Sequence, residues 1–310
     1  MDIELTEGSS DPNKVLQRIK KPYNESLTYL SVALGLEGLV HRFCWPHFAL
    51  YNLSVGKVEA DEFEEAKQLL ARINDFTSST NFRSVRISRF DPDEETLQNE
   101  LLLEILSRDE SGVKIGKVTE QQFDISKVLV LEAIDVIRKT APKYSNEMAL
   151  LIDEIILTGR TQDYYVRSGS SYTAFGLVTI YADPEGTLAY FIEHIVHELS
   201  HLVLFTFNGQ DSLVLNKDTE RFKAPLRDDL RPMFGLFHAL FVMVRSYIAL
   251  DLARSELTNA GEDVADRLVE LKKLIIATHK TVSKNAEFTE TGRLIFEDIE
   301  RVVIRNDLLA

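Results

Sequence analysis

Three histidines and a glutamate fall within eight positions of an apolar stretch: His194, His197, Glu198 and His201 in HIVHELSH. Side chains four apart on a helix lie one turn above each other, so His197 and His201 share a face. Two imidazoles so placed can hold one first-row divalent cation, which takes nitrogen ligands at about 2.0–2.1 Å. Glu198 follows the first of them, where H-E-x-x-H hydrolases keep the carboxylate that serves as general base. The pattern fixes only three positions, so context has to decide. Two imidazoles and a carboxylate without partners are costly to keep among Phe, Ile, Leu and Val. A metal site is therefore read here in preference to a hydrogen-bonded structural cluster. His194, one turn before His197, reads as a supporting or plain core residue.

A third protein ligand is required, and two residues downstream offer one. Glu220, in KDTERF, stands near where a thermolysin-like peptidase supplies its glutamate. It lies in a polar stretch without the N-E-x-x-x-D pattern, however, and reads as a solvated loop acid. His238, in MFGLFHALF, is a lone histidine on a thoroughly apolar helix and is the stronger candidate. Alone, such a histidine is more often a satisfied core residue; beside an H-E-x-x-H helix the balance reverses. The metzincin pattern H-x-x-G-x-x-H is disfavoured, because LVLFTF follows His201.

These residues need elements to hold them. GTLAYFIEHIVHELSHLVLFTF reads as one helix with Thr187 as its N-cap. RPMFGLFHALFVMVRSYIALDLA reads as a long buried helix, with Asp229 near its start and Pro232 in its first turn. Ahead of the motif, QDYYVRSGSSYTAFGLVTIYADPEG is rich in Tyr, Val, Thr and Ile. It is expected to form two strands joined through RSGSS and ended by turn residues. The N-terminal half is mainly helical. ESLTYLSVALGLEGLVHRFCWPHFALYNL is expected to hold a buried helix ending before Pro46. DEFEEAKQLLARINDF and DEETLQNELLLEILSRD are amphipathic helices, and SSTNFRSVRISRFDP is a connector with a short extended piece. KVLVLEAIDVIRKTAPKYSNEMALLIDEIIL supplies two helices divided at Pro142, and residues 262–280 and 287–304 supply two more. The expected fold is α+β and predominantly helical, with a small sheet next to the H-E-x-x-H helix in a zincin-like local topology. A helical, candidate peptide-binding region over 1–158 precedes a metal-binding region over 159–310, the two forming one compact unit.

The 310 residues are 45% hydrophobic and 27% charged, an ordinary globular profile. A net charge of −14 opposes phosphate backbones and favours neutral or cationic partners such as a basic peptide, so nucleic acid is not an expected partner. No run of about 18 uninterrupted apolar residues and no basic-then-apolar leader is present, so no membrane association is expected. The single cysteine, Cys44, cannot form an internal disulfide and suits a reducing, cytoplasmic setting.

Several segments together carry a resemblance: SSYTAFGLV before the motif, VHELSH itself, PLRDDLRPMFGLFHA after it, and AEFTETGRLIF at 286–296. They resemble the H-E-x-x-H family of peptide-modifying proteins in ribosomal-peptide biosynthesis, the 2-oxoglutarate-dependent peptide β-hydroxylases. The resemblance spans about residues 165–300 and departs from the family pattern at Leu226, Leu230 and Ala239. It implies iron chemistry: His197, His201 and His238 would bind Fe(II), leaving positions for 2-oxoglutarate and dioxygen, as in facial-triad oxygenases. Those enzymes usually combine two histidines with a carboxylate, so a three-histidine set is a departure. Glu198 would support the site or orient a water. The product would be a hydroxylated β-carbon in a ribosomally made precursor peptide.

The distal carboxylate of 2-oxoglutarate calls for an arginine fork. Arg231, at the opening of the His238 helix and about two turns before that histidine, is the first choice; Arg227 and Arg245 are alternatives. Ser170, Ser171, Tyr172 and Thr173 would line the pocket or hold the peptide, by strand addition to the extended segment. Phe191, Ile195, Phe205, Phe234 and Phe237 would exclude water. Imidazole suits iron and zinc alike. A zinc metallopeptidase, with Glu198 as base and His238 or Glu220 as third ligand, therefore stands as the alternative, and a non-catalytic peptide-binding module as a second.

Overall fold

The computed structural model describes residues 3–36, 38–39, 42–76, 85–108, 114–162, 165–225 and 229–309. The first half of the chain contributes α1 (Pro12–Ala33), α2 (Trp45–Glu59), α3 (Phe63–Ala71), β1 (Arg86–Arg89), α4 (Leu97–Arg108), α5 (Glu120–Thr140) and α6 (Pro142–Leu151). Then follow β2 (Glu154–Thr158), β3 (Ser168–Ser170), β4 (Leu177–Tyr181) and α7 (Leu188–Asn208). The remainder holds β5 (Phe222–Lys223), β6 (Leu230–Arg231), α8 (Met233–Asn259), α9 (Ala265–Asn285) and α10 (Glu290–Arg305). The architecture is α+β and predominantly helical, with a small mixed sheet, as the sequence predicts.

The chain divides into two compact units. Met1–Val15, Val128–Met148 and Glu185–Ala310 form one, here the helical unit; Leu16–Lys127 and Ala149–Pro184 form the other, the sheet unit. They do not follow a boundary at residue 158. The composition changes there, but β2, which ends at that residue, pairs with β1 on one side and β4 on the other, so strands from both sequence regions share one sheet.

In the sheet unit the strand order is β1-β2-β4-β3, with β1, β2 and β4 parallel and β3 an antiparallel edge. β2 is buried at every position. A central parallel strand reads as an unbroken apolar run, which is why EIIL was expected to continue a helix. Ser168–Ser170, expected to be a link between strands, is itself β3. Pro46 opens α2 rather than following the end of a helix: α1 stops at Ala33, and Pro46 occupies the first turn of α2, where its missing N–H removes no bond.

Two adjacent carboxylates anchor α2 and β1 to the start of β2. Glu154 accepts from Trp45 Nε1 at 2.7 Å and Ser88 Oγ at 2.6 Å, and pairs with Arg86. Asp153 accepts from the Trp45 backbone N–H at 2.7 Å. Burial pushes the Asp153 carboxyl up to about 7; the Trp45 N–H opposes the shift and the Glu154 charge adds to it.

In the helical unit α8 packs against both α7 and α9. Over Met233–Val244 it is apolar on nearly every side, the pattern of a buried helix, and its C-terminal half turns Asp251, Arg254 and Ser255 to solvent. By length and composition α8 could also cross a membrane, yet 78% of its most apolar window is buried in the protein. Arg245 and Ser246 interrupt the apolar run, so a search for uninterrupted residues passes over it. At α10, Thr289 caps the helix by accepting from Gly292 N at 3.0 Å, and its own N–H donates to Leu213 O at 3.1 Å. A Cβ at residue 292 would overlap that carbonyl, so glycine is required there. The AEFTETGRLIF segment therefore fastens the chain that follows α7.

Candidate metal centre

The N-terminal end of α7 is held at several points. Thr187 Oγ1 accepts from Tyr190 N at 3.3 Å, as the sequence predicts, and the Glu262 carboxylate accepts from Leu188 N at 2.8 Å and Ala189 N at 2.9 Å. A carboxylate on the first free N–H groups of a helix satisfies them and complements the helix dipole. One turn further on, Glu193 is gripped by Arg267 of α9, whose Nε donates to Oε2 at 2.8 Å while Nη2 reaches Oε1. Burial favours the neutral acid at Glu193, but the bonds and charge of Arg267 prevail and hold the carboxyl below the usual range.

The i, i+4 spacing then sets the histidines. The rings of His197 and His201 are 5.1 Å apart, and His238 of α8 lies 5.9 Å from His201. Two imidazoles sharing an ion through ligand bonds of about 2.0–2.1 Å have ring centres about 5 Å apart, so the α7 pair stands at ligand spacing and His238 slightly wide of it. Burial drives His201 down to about 4, against the pull of the Glu198 charge and with the push of His197. Burial and the neighbouring His201 take His238 down to about 3. Both imidazoles are thus neutral near pH 7, the form that binds metal. Glu198 is buried, with Oε1 4.0 Å from His197 Nε2. The His194 ring lies tilted against Tyr190, 4.2 Å between ring centres, and stands 6.5 Å from His197.

His238 Nε2 is engaged by Asn208, the last residue of α7, whose Nδ2 lies 2.7 Å away. Among the described residues no three His, Cys, Asp or Glu side chains are gathered as a bound ion requires. Imidazole nitrogens suit a divalent ion, and the α7 pair is at ligand spacing, with the His238 ring slightly wider.

The other expected residues fare differently. Arg231 is not on the His238 helix but in β6, paired with β5, and its Nε lies 2.8 Å from Asp229 Oδ2 without the alignment of a hydrogen bond. The proline after it caps α8, and proline geometry keeps the preceding residue extended. Arg227 lies outside the described residues. Arg245 is fully buried and committed to the core: it pairs with Glu147, donates to Leu5 O, and donates through Nε to Ser200 Oγ at 2.9 Å. It is no candidate for a cosubstrate carboxylate. Glu220 is exposed, as a solvated loop acid would be. Phe191, Ile195 and Phe237 are plain core, whereas Phe234 and Phe205 stand 4.2 and 6.1 Å from the His238 ring. Ser170, Ser171 and Thr173 belong to the sheet unit and line a cavity of about 770 Å³ with apolar walls from Leu102, Ile105 and Leu177. Tyr172 packs on Phe48 instead, 5.9 Å between rings.

Sequence reasoning passed over Asn208, Glu262 and Arg267. The first carried a signal, an amide two helical turns beyond His201 and about one beyond Phe205; the other two sit in polar segments where nothing marks them. No protein-family model matches the chain, and no curated protein sequence matches it.

Proposed function

We propose that this protein is a metal-dependent enzyme acting on peptides, with His197, His201 and His238 as its ligands. The observation that carries the reading is the α7 imidazole pair at ligand spacing with a third neutral imidazole beside it. The choice of iron rests on the resemblance over residues 165–300, which implies Fe(II)- and 2-oxoglutarate-dependent hydroxylation of a β-carbon in a ribosomally made precursor peptide. When bound, that metal and cosubstrate supply the activation of dioxygen. The chain's own residues do the rest. Neutral imidazoles offer lone pairs, the Glu198 carboxylate can hold a water beside His197, and Phe205 and Phe234 shield the His238 side from solvent. Arg231 would serve the distal carboxylate of 2-oxoglutarate by exchanging it for Asp229. A zincin-like arrangement is supported by the chain order, in which β4 and its antiparallel edge partner β3 precede the motif helix. An edge strand suits an extended peptide.

The second reading, zinc peptide hydrolysis, is favoured by the placement of Glu198, whose carboxylate approaches His197 Nε2 as a general base for water would. One experiment separates the two. Anaerobic Fe(II) is added, then 2-oxoglutarate, and the visible spectrum is recorded for wild type, His197→Ala and His201→Ala. A charge-transfer band that needs both additions and is lost in the variants is the expected result. Stoichiometric zinc with no such band returns the site to hydrolysis. Binding of neither metal leaves a peptide-binding module.

A further inference from the structure

Small residues open the cavity of the sheet unit. On α2 its lining is Ala49, Asn52, Leu53 and Gly56, spaced as one side of a helix. A second wall is β3, Ser168–Ser170, with Thr179 of β4 beside it, and Leu102 and Ile105 of α4 with Leu177 of β4 make the apolar side. Glycine is the poorest helix former after proline, yet nothing local calls for it at Gly56: its φ is not positive, and an added Cβ would meet no atom within 4 Å. Gly56 is exposed and lines the cavity, so the missing side chain keeps the mouth wide. Gly169 likewise weakens β3, and a glycine inside a strand often marks close approach of a ligand or another backbone. The space of about 770 Å³ is far larger than one side chain and falls within the range of small-molecule sites, about 300–1,000 Å³.

Polarity narrows the ligand. Among the described lining residues none is charged, so an ion entering this space would lose its hydration without a counter-charge. The polar groups lean toward accepting. Asn52 Nδ2 spends both its hydrogens, on Phe48 O at 2.9 Å and Thr173 O at 3.3 Å, which leaves Oδ1 as an acceptor. Thr179 donates its hydroxyl to Gly169 O at 3.2 Å and keeps its lone pairs. Ser171 and Thr173 share a hydrogen bond at 2.8 Å, and Ser171 Oγ also accepts from Thr173 N at 3.2 Å. We propose that this cavity is a binding site for an uncharged small molecule with an apolar body and a hydroxyl group. The body lies against Leu53, Leu102, Ile105 and Leu177, and the hydroxyl donates to Asn52 Oδ1 or Thr179 Oγ1. Every lining residue named belongs to the sheet unit, and nothing in the site depends on a bound metal.

The test titrates the full chain with N-phenylnaphthylamine, an uncharged dye that brightens in apolar surroundings, and displaces it with decanol or with decanoate. Saturable binding is expected. Decanol should displace the dye at a concentration about tenfold or more below that of decanoate, since a buried unpaired charge costs more than a hydroxyl. Gly56→Leu and Ile105→Trp both add bulk to the lining and should weaken dye binding about fivefold or more, the low end of what overfilling a space costs. Thermal unfolding followed by circular dichroism checks that each variant folds; Gly56→Leu, the better helix former, carries the test if Ile105→Trp does not. No saturable binding, or binding unchanged by the substitutions, overturns the site. Displacement by decanoate as readily as by decanol overturns the uncharged ligand, and displacement by an uncharged apolar peptide but not by decanol makes the occupant a peptide instead.

Discussion

Ser200 and His201 are neighbours on α7, yet they face opposite situations. Ser200 Oγ donates to Val196 O at 2.6 Å and accepts from Arg245 Nε at 2.9 Å. Arg245 pairs with Glu147, donates to Leu5 O, and lies over the Tyr144 ring at 4.4 Å. Glu147 in turn accepts from Ser9 N at 2.7 Å, and Tyr144 donates to Thr6 O at 2.6 Å. Asp298 completes the set by accepting from Leu5 N, Thr6 N and Thr6 Oγ1. On this side buried charge is matched, and the N-terminal segment is stitched to α7 and α8. On the other side two imidazoles are stripped of charge by burial, and Asn208 Oδ1 has no hydrogen bond. A matched buried network holds structure together; on the other side a buried amide oxygen stands without a hydrogen bond.

The strongest way to break the comparison is Arg245→Ala or Glu147→Ala. Either leaves a buried charge alone and should cost about 3–5 kcal/mol in denaturant unfolding, while an Arg245→Met, Glu147→Leu double change recovers most of it. A loss under about 1 kcal/mol would remove the claim that this side is structural.

The sheet unit repeats the contrast in miniature. Among the described residues Glu154 has three side-chain donors, while Asp153 has a single backbone donor and its carboxyl is pushed up to about 7. The unfolded chain releases that proton near pH 3.9, so the native state holds more protons between there and about 7. Stability should therefore fall as pH rises through that window, by up to about 1.4 kcal/mol per unit, and level off above it. Asp153→Asn should flatten this part of the profile relative to wild type; parallel profiles would contradict the assignment.

Glu262→Ala strips the cap from the N-terminus of α7 and should cost about 0.5–2 kcal/mol. Hydrogen exchange should then rise first in residues 188–192.

The smallest effect sharpens the comparison most. His197 has a side chain 39% exposed. In metal-free protein His197→Ala should change stability by no more than about 0.5 kcal/mol. The same change should abolish the rise in Tm expected of wild type with divalent metal. A large loss without metal would make His197 a structural residue.

Much of this was legible beforehand because it follows from backbone period and cap chemistry. Thr187 marks the start of α7, and the separation of His197 and His201 places them together on any helix. The long apolar run makes α8 a core helix. β2 was not legible, since Ile155 and Ile156, right after a helix, look the same in a buried strand as in a buried helix. Nor was the fate of the arginines: Arg245 and Arg231 are alike in sequence, and only their neighbours separate a core ion pair from a surface one.

The sequence by itself determined the imidazole pair, because a helix repeats every 3.6 residues whatever it packs against. Only the tertiary structure decided what His238 does. Its distance from His201 and the bond its Nε2 makes to Asn208 depend on how α8 lies along α7, and no local pattern encodes that crossing.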